Sequence, residues 1–182
     1  MAEKNTEKIG GLSLRLAKAK DVNILSRLAE TTFRETYQAF NTPEDMTKYV
    51  QTHFTQEILL AEILHPLVRC FLSFYNGEPV GYCMLDGRRT TPEAGEKNTL
   101  EISRIYVLKK FQGNKIGKSL LNACVDFAKE NHNKIIWLGV WKKNENAIQF
   151  YLHQGFTIAG TTIFVLGNDK QEDHIMIKKL AD

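Results

Sequence analysis

The sequence predicts an α+β fold, with a mixed, largely antiparallel central sheet flanked by helices, and three observations carry that expectation. Helical periodicity fills residues 21–64. Two β-branched and aromatic runs, VRCFLSFY and PVGYCML, flank Asn76-Gly77-Glu78, the turn chemistry of a tight antiparallel hairpin. From Leu100 onward, apolar runs of strand length alternate with two segments of helical spacing, and the chain closes on two consecutive strands.

Taken in order, residues 1–11 read as a flexible lead-in, and Leu12, Leu14 and Leu16 then alternate with polar partners as a first strand. Asp21 is placed to cap a helix from Val22 to Ala39, whose stripe runs through Ile24, Leu25, Leu28, Phe33 and Tyr37. Thr42-Pro43-Glu44-Asp45 starts a second helix, with an oxygen cap, proline at the first helical position and an acid three residues after the cap. Thr55-Gln56-Glu57 starts a third, which stops before Pro66. After the hairpin, residues 86–98 hold no periodic apolar set and read as an exposed loop. LEISRIYVL is a strand, Lys115 to Glu130 a helix, IIWLGVW a buried strand, and Asn144 to Gln154 a short helix closed by Gly155. FTIAGTTIFVL and DHIMIKKL finish the sheet.

With 182 residues, 43% of them hydrophobic, residues 12–182 make one domain whose core folds without disulfides or metals. The net charge of +3 is too mild for a nucleic-acid footprint, and no apolar run has membrane-spanning length. Cys70, Cys83 and Cys124 sit among apolar neighbours at spacings that fit neither a disulfide framework nor a metal site, so all three read as reduced core residues. With no signal-peptide run at the start, the expected compartment is the cytoplasm. The five histidines are dispersed with no acid at ligand spacing, so no metal is expected.

Chemistry concentrates in Arg104 to Ser119, where a strand meets a glycine-containing turn that opens a long helix. Such a turn aims unpaired N–H groups outward, and with the helix dipole they suit phosphate oxygens. Gly113 and Gly117 allow close approach, while Lys115 and Lys118 add charge. A surface turn with solvated lysines is the alternative. GNKIGKS falls one residue short of the nucleotide-binding GxxxxGK[ST] spacing, which argues against ATP or GTP.

Gln112-Gly113-Asn114-Lys115-Ile116-Gly117, directly after a strand, resembles the Q/R-x-x-G-x-G/A signature of the GNAT superfamily of acetyl-CoA-dependent N-acetyltransferases. It departs at Lys115, where that family usually has glycine. Asn144 to Phe156 is similar to the family's N-x-x-A-x-x-F-Y-x-x-x-G-F stretch. ETTFRETYQAFNTPEDMTKYV, SRIYVLKKFQG and IIWLGVWKKNENAIQFY together look like the PaiA type of bacterial polyamine N-acetyltransferase. The resemblance implies acetyl-CoA as cosubstrate and a small-molecule amine, spermidine or spermine, as acceptor, with no nucleic-acid or membrane partner. Such folds often form homodimers. It implies that pantetheine pairs with the backbone of Ile105, Tyr106 and Val107, that Gln112 to Lys118 take the pyrophosphate, and that Asn144 contacts the pantetheine arm.

An amine must lose a proton to attack a thioester, and the departing thiolate is better stabilised beside an acid. Tyr151 is the expected acid, since a phenol is protonated at neutral pH; a core aromatic is its alternative. Glu101, on the strand before the turn, is the expected base, where some relatives in the superfamily carry a catalytic glutamate, with a solvated strand-edge carboxylate as the alternative. Residues 104–143 carry nine basic side chains against Asp126 and Glu130, a balance suited to a polyanionic cofactor. Residues 29–62 reverse the sign, and Phe33, Glu35 and Tyr37 are the expected acceptor contacts there. Other amines (a protein N-terminus, lysine, an amino acid, an antibiotic) and a non-catalytic CoA sensor remain the competing readings.

Overall fold

A computed structural model describes residues 11–95, 98–167 and 169–180. The expected lead-in therefore lies outside the described residues except at Gly11. That glycine is tied down: Asn76 N–H donates to its carbonyl at 2.8 Å. The elements are β1 (Leu12–Leu16), α1 (Val22–Tyr37), α2 (Pro43–His53), α3 (Gln56–Leu64), β2 (Val68–Tyr75), β3 (Glu78–Asp86), β4 (Thr99–Val107), α4 (Ile116–Glu130), β5 (Ile135–Trp141), α5 (Glu145–His153), β6 (Thr157–Leu166) and β7 (Asp169–Lys179). The strands form one seven-stranded sheet in the order β1-β2-β3-β4-β5-β7-β6, antiparallel at each pairing except β4 with β5. The expected α+β fold with a largely antiparallel sheet is the observed one.

The helix starts follow the sequence rules at two places and depart at a third. Thr42 Oγ1 accepts from Asp45 N–H at 3.1 Å and Thr55 Oγ1 from Ile58 N–H at 3.4 Å, each satisfying a first-turn donor. Asp21 instead turns away from α1. Its carboxylate accepts from both terminal nitrogens of Arg15 at 2.6 and 2.9 Å and from Lys18 N–H at 2.8 Å, so it ties β1 to the entrance of α1. A two-pronged charged partner outcompetes a neutral backbone donor for a buried carboxylate. Asn76 (φ 50°) and Gly77 (φ 83°) make the left-handed pair that the hairpin turn requires. The 86–98 loop is less exposed than expected, because Pro92–Ala94 form a 3₁₀ turn that buries Thr91 and Ala94.

Each face of the sheet carries its own core. Alternation along β3 sends Tyr82 and Met84 to the face covered by α1, α2 and α3, where Leu25, Phe33, Met46 and Leu59 join them. Cys83 and Leu85 face α4 and α5, with Leu120, Cys124, Ile148 and Phe156. All three cysteines are buried and free of disulfides, with Cys83 and Cys124 in sulfur–sulfur contact at 3.3 Å. Among the described residues no helix is long and apolar enough to cross a membrane.

One irregularity opens this sheet. β4 and β5 pair for three residues only, Thr99 with Ile135, Leu100 with Ile136 and Glu101 with Trp137. The β3–β4 register skips Ser103, since Met84 pairs with Arg104 and Leu85 with Ile102. A bulge of this kind bends its strand, and β4 leaves β5 beyond it. The sheet is split from there on, and the backbone edge of β4 that faces β5 is left without a strand partner.

Candidate active site

The split opens a cavity of about 610 Å³. Ile105, Tyr106 and Val107 form one wall, Val140 and Trp141 the other, and Asn144, Ala147 and Tyr151 of α5 close the side. Gln112, Gly113, Lys115, Ile116, Gly117 and Lys118 form the end at the mouth of α4. The unpaired β4 edge offers amide and carbonyl groups to a ligand that can pair as an extra strand.

The turn at the mouth is shaped for an anion. Gly113 has φ 84° and Lys115 φ 61°, and Lys115 stands at the start of α4 with no side-chain cap on the helix. The N–H groups of the first turn are thus open to the cavity, at the positive end of the helix dipole. A Cβ on Gly113 would meet nothing within 4 Å, and one on Gly117 only Phe150 at 3.9 Å and Val107 at 4.0 Å, so both glycines leave room. Lys115, in place of the usual glycine, takes the left-handed conformation that a glycine would take, and the turn keeps its shape. Asn114 departs from expectation: it does not line the cavity, and its amide donates to Phe111 C=O at 3.1 Å, which braces the turn from inside. Gln112 Nε2 donates to Val107 C=O at 3.3 Å. Open N–H groups, two lysines and a free strand edge fit the pyrophosphate and pantetheine of acetyl-CoA.

Of the three expected acceptor contacts, the structure brings Tyr37 alone to the cavity. Phe33 is 2% exposed and stacks on Tyr49 at 4.5 Å inside the core of α1 and α2. Glu35 accepts from Lys109 N–H at 2.8 Å and so holds α1 to the entrance of the turn. Helical geometry sets Glu35 apart, because residues two apart point about 200° apart around the axis, whereas Phe33 shares the Tyr37 face, with ring centroids 4.7 Å apart, and is covered by α2. Burial pushes the Tyr37 phenol up to about 12, partly offset by the neighbouring Tyr106 hydroxyl.

Tyr151 is buried between Phe150 and Phe156, and its hydroxyl makes no hydrogen bond among the described residues. Burial lifts its phenol well above the usual range, so it stays protonated through neutral pH. Asn144 Oδ1 accepts from Ala147 N–H at 3.2 Å, capping α5 while the residue also lines the cavity.

Glu101 faces a second cavity, of about 360 Å³, which shares Ile102, Ser103 and Gly139 with the first. Its carboxyl is 6% exposed and burial pushes it up to about 6, against the pull of Arg89 at 3.6 Å. Its Oε2 has no hydrogen-bond partner among the described residues. Asp173 of β7 lines the same cavity and is likewise pushed up to about 6 by burial; among the described residues neither its Oδ1 nor Trp137 Nε1 in the same cavity has a partner. Asp173, Trp137, Trp141 and Gly139 carried no signal in the sequence beyond strand membership. Among the described residues no cluster of His, Cys, Asp or Glu could hold a metal ion.

Comparison with known proteins gives a consistent result. The family model described as the acetyltransferase (GNAT) family matches residues 28–156. An N-acetyltransferase encoded in the pepI 3′ region of Lactobacillus delbrueckii subsp. lactis is 35% identical over 171 residues, covering 94% of this chain and 99% of that one. The spermine/spermidine N(1)-acetyltransferase of Bacillus subtilis is 26% identical over 108 residues, 59% of this chain and 67% of the relative. The crystal structure of the PaiA N-acetyltransferase of Thermoplasma acidophilum in complex with coenzyme A shares the fold, with a TM-score of 0.78, 23% identity, and coverage of 93% of this chain and 99% of that one.

Proposed function

The chain belongs to the GNAT family of acetyl-CoA-dependent N-acetyltransferases, and from that premise we propose that its acceptor is a polyamine of the spermidine or spermine kind. The observation that carries the reading is the opposite charge of two adjoining cavities. One ends in Lys115, Lys118 and open helix N–H groups, and the other holds Glu101, Asp173 and Glu93 against Arg89 alone. A polyanion and a polycation entering from opposite sides meet at Ile102, Ser103 and Gly139. The name of the Bacillus relative supports the same acceptor class.

Bound acetyl-CoA supplies a thioester that an unprotonated amine can attack. In the proposed scheme the β4 edge at Ile105, Tyr106 and Val107 and the turn from Gln112 to Lys118 hold the cofactor, with Asn144 beside its arm. Glu101 takes a proton from the acceptor ammonium and frees the nitrogen lone pair, which forms the new C–N bond. A carboxyl held near 6 is ionised at neutral pH and basic enough for that transfer. As the C–S bond breaks, the Tyr151 hydroxyl hydrogen-bonds or protonates the departing sulfur. Tyr37 lines the cofactor cavity and not the acidic one. A cytoplasmic location and a homodimer belong to the same proposal, the second checked by light scattering.

The test is thiol release from acetyl-CoA by the purified chain, with and without spermidine. Spermidine-dependent release supports the reading. Release with glycine, lysine or a peptide amine but none with spermidine or spermine overturns the acceptor and leaves the family activity standing.

A further inference from the structure

Polar atoms buried without partners are rare, and each asks what would satisfy it. Among the described residues, three of them line the second cavity: Glu101 Oε2, Trp137 Nε1 and Asp173 Oδ1. Glu101 and Trp137 are 6% and 7% exposed, so neither can turn out to bulk water for a partner. Among the described residues Glu101 has one ion-pair contact, Arg89 at 3.6 Å, and that arginine is largely exposed, which makes it a replaceable partner.

Gly139 shows where the two cavities meet. It lines both, and a Cβ there would have one neighbour within 4 Å, Asp173 Oδ2 at 3.5 Å. Its φ is not in the left-handed range, so the backbone tolerates a side chain. The bare position leaves space at the junction, and the Asp173 carboxylate borders it from β7 while Glu101 reaches the same cavity from β4. A primary ammonium has three N–H donors and one positive charge, which two carboxylates with free oxygens can share.

Building on the acetyl-transfer reading above, we propose that Asp173 is the residue that holds the acceptor's reacting ammonium at the Gly139 junction, beside Glu101. The division of labour follows from placement. Asp173 anchors and orients the amine through its oxygens, and Glu101, on the strand whose edge faces the cofactor cavity, removes the proton. An acidic lining favours an aliphatic amine with no carboxylate next to the nitrogen, since an α-carboxylate would bring a further negative charge into a cavity already lined by Glu93, Glu101 and Asp173.

The experiment compares wild type with Asp173→Asn and Asp173→Ala in two readouts. One is steady-state kinetics with spermidine and with n-butylamine, and the other is thermal protection of the acetyl-CoA-free chain by each amine. The expected result is an amine KM raised at least about tenfold in both variants, with the acetyl-CoA KM changed less than about twofold and amine protection lost. An unchanged amine KM with intact protection overturns the assignment. If the wild type transfers to n-butylamine but not to spermidine, the polyamine reading fails, while the comparison of variants on n-butylamine still decides Asp173. A wild-type chain that neither amine protects and that transfers to neither overturns the assignment as well.

Discussion

Glu101→Gln should make the chain more stable and less active at the same pH. Burial lifts the Glu101 carboxyl from its ordinary 4.5 to about 6, so the folded state prefers it neutral. Such a group adds stability while it is protonated and loses it as pH rises through about 6; at about 1.4 kcal/mol per pH unit the full loss is about 2 kcal/mol above pH 7. A neutral glutamine of the same shape avoids that cost, and the exposed Arg89 that it leaves behind loses little by returning to water. For a domain of this size the gain corresponds to roughly 4–8 °C in Tm. Thermal unfolding followed by circular dichroism at pH 8 and pH 4 checks it, with the variant ahead at pH 8 and level with the wild type at pH 4, where both side chains are neutral. Thiol-release kinetics on the same samples should show a fall in turnover of about 10²-fold or more, and the acidic limb of the wild-type rate profile should lose the contribution near pH 6 that belongs to this carboxyl. A variant less stable than the wild type at pH 8 would refute the burial argument. Unchanged turnover would remove Glu101 from the chemistry.

Tyr151→Phe should lower turnover at least tenfold yet leave acetyl-CoA affinity and Tm nearly unchanged, because the hydroxyl makes no hydrogen bond among the described residues; calorimetric titration beside thiol release separates the two effects. Lys115→Gly removes both a left-handed non-glycine residue, which costs about 1 kcal/mol, and a charge at the turn. The expected outcome is a Tm equal to or above that of the wild type, with acetyl-CoA bound several-fold more weakly at low salt. Glu62→Gln should destabilise by about 2–4 kcal/mol in urea unfolding, since Arg104 donates to Glu62 at 2.5 and 3.1 Å in a largely buried pair and would be left charged without it.

The sequence was most informative where its signals are short in range. The Asn76-Gly77 turn, the Thr42 and Thr55 caps and the glycine turn before α4 each depend on a few adjacent residues, and each forms as expected. Asp21 carried a cap signal of equal strength and lost it to Arg15, six residues away on another element. Glu35 looked like an acid facing an amine and is bonded to Lys109 N–H, 74 positions along the chain. Phe33 looked like an acceptor contact and is core.

By itself, then, the chain's pattern of periodicity, turn chemistry and glycine placement determined the element types, the largely antiparallel sheet and the glycine-containing turn before α4, because these follow from backbone conformations chosen over one or two turns or strand pairs. Tertiary structure alone decided where β4 parts from β5, that the parting makes two joined cavities, and that Asp173 of β7 shares one of them with Glu101 of β4. Those facts depend on a bulge set by the β3 register and on strands brought together from distant parts of the chain, and no local pattern records which side chains a sheet will place at its own split.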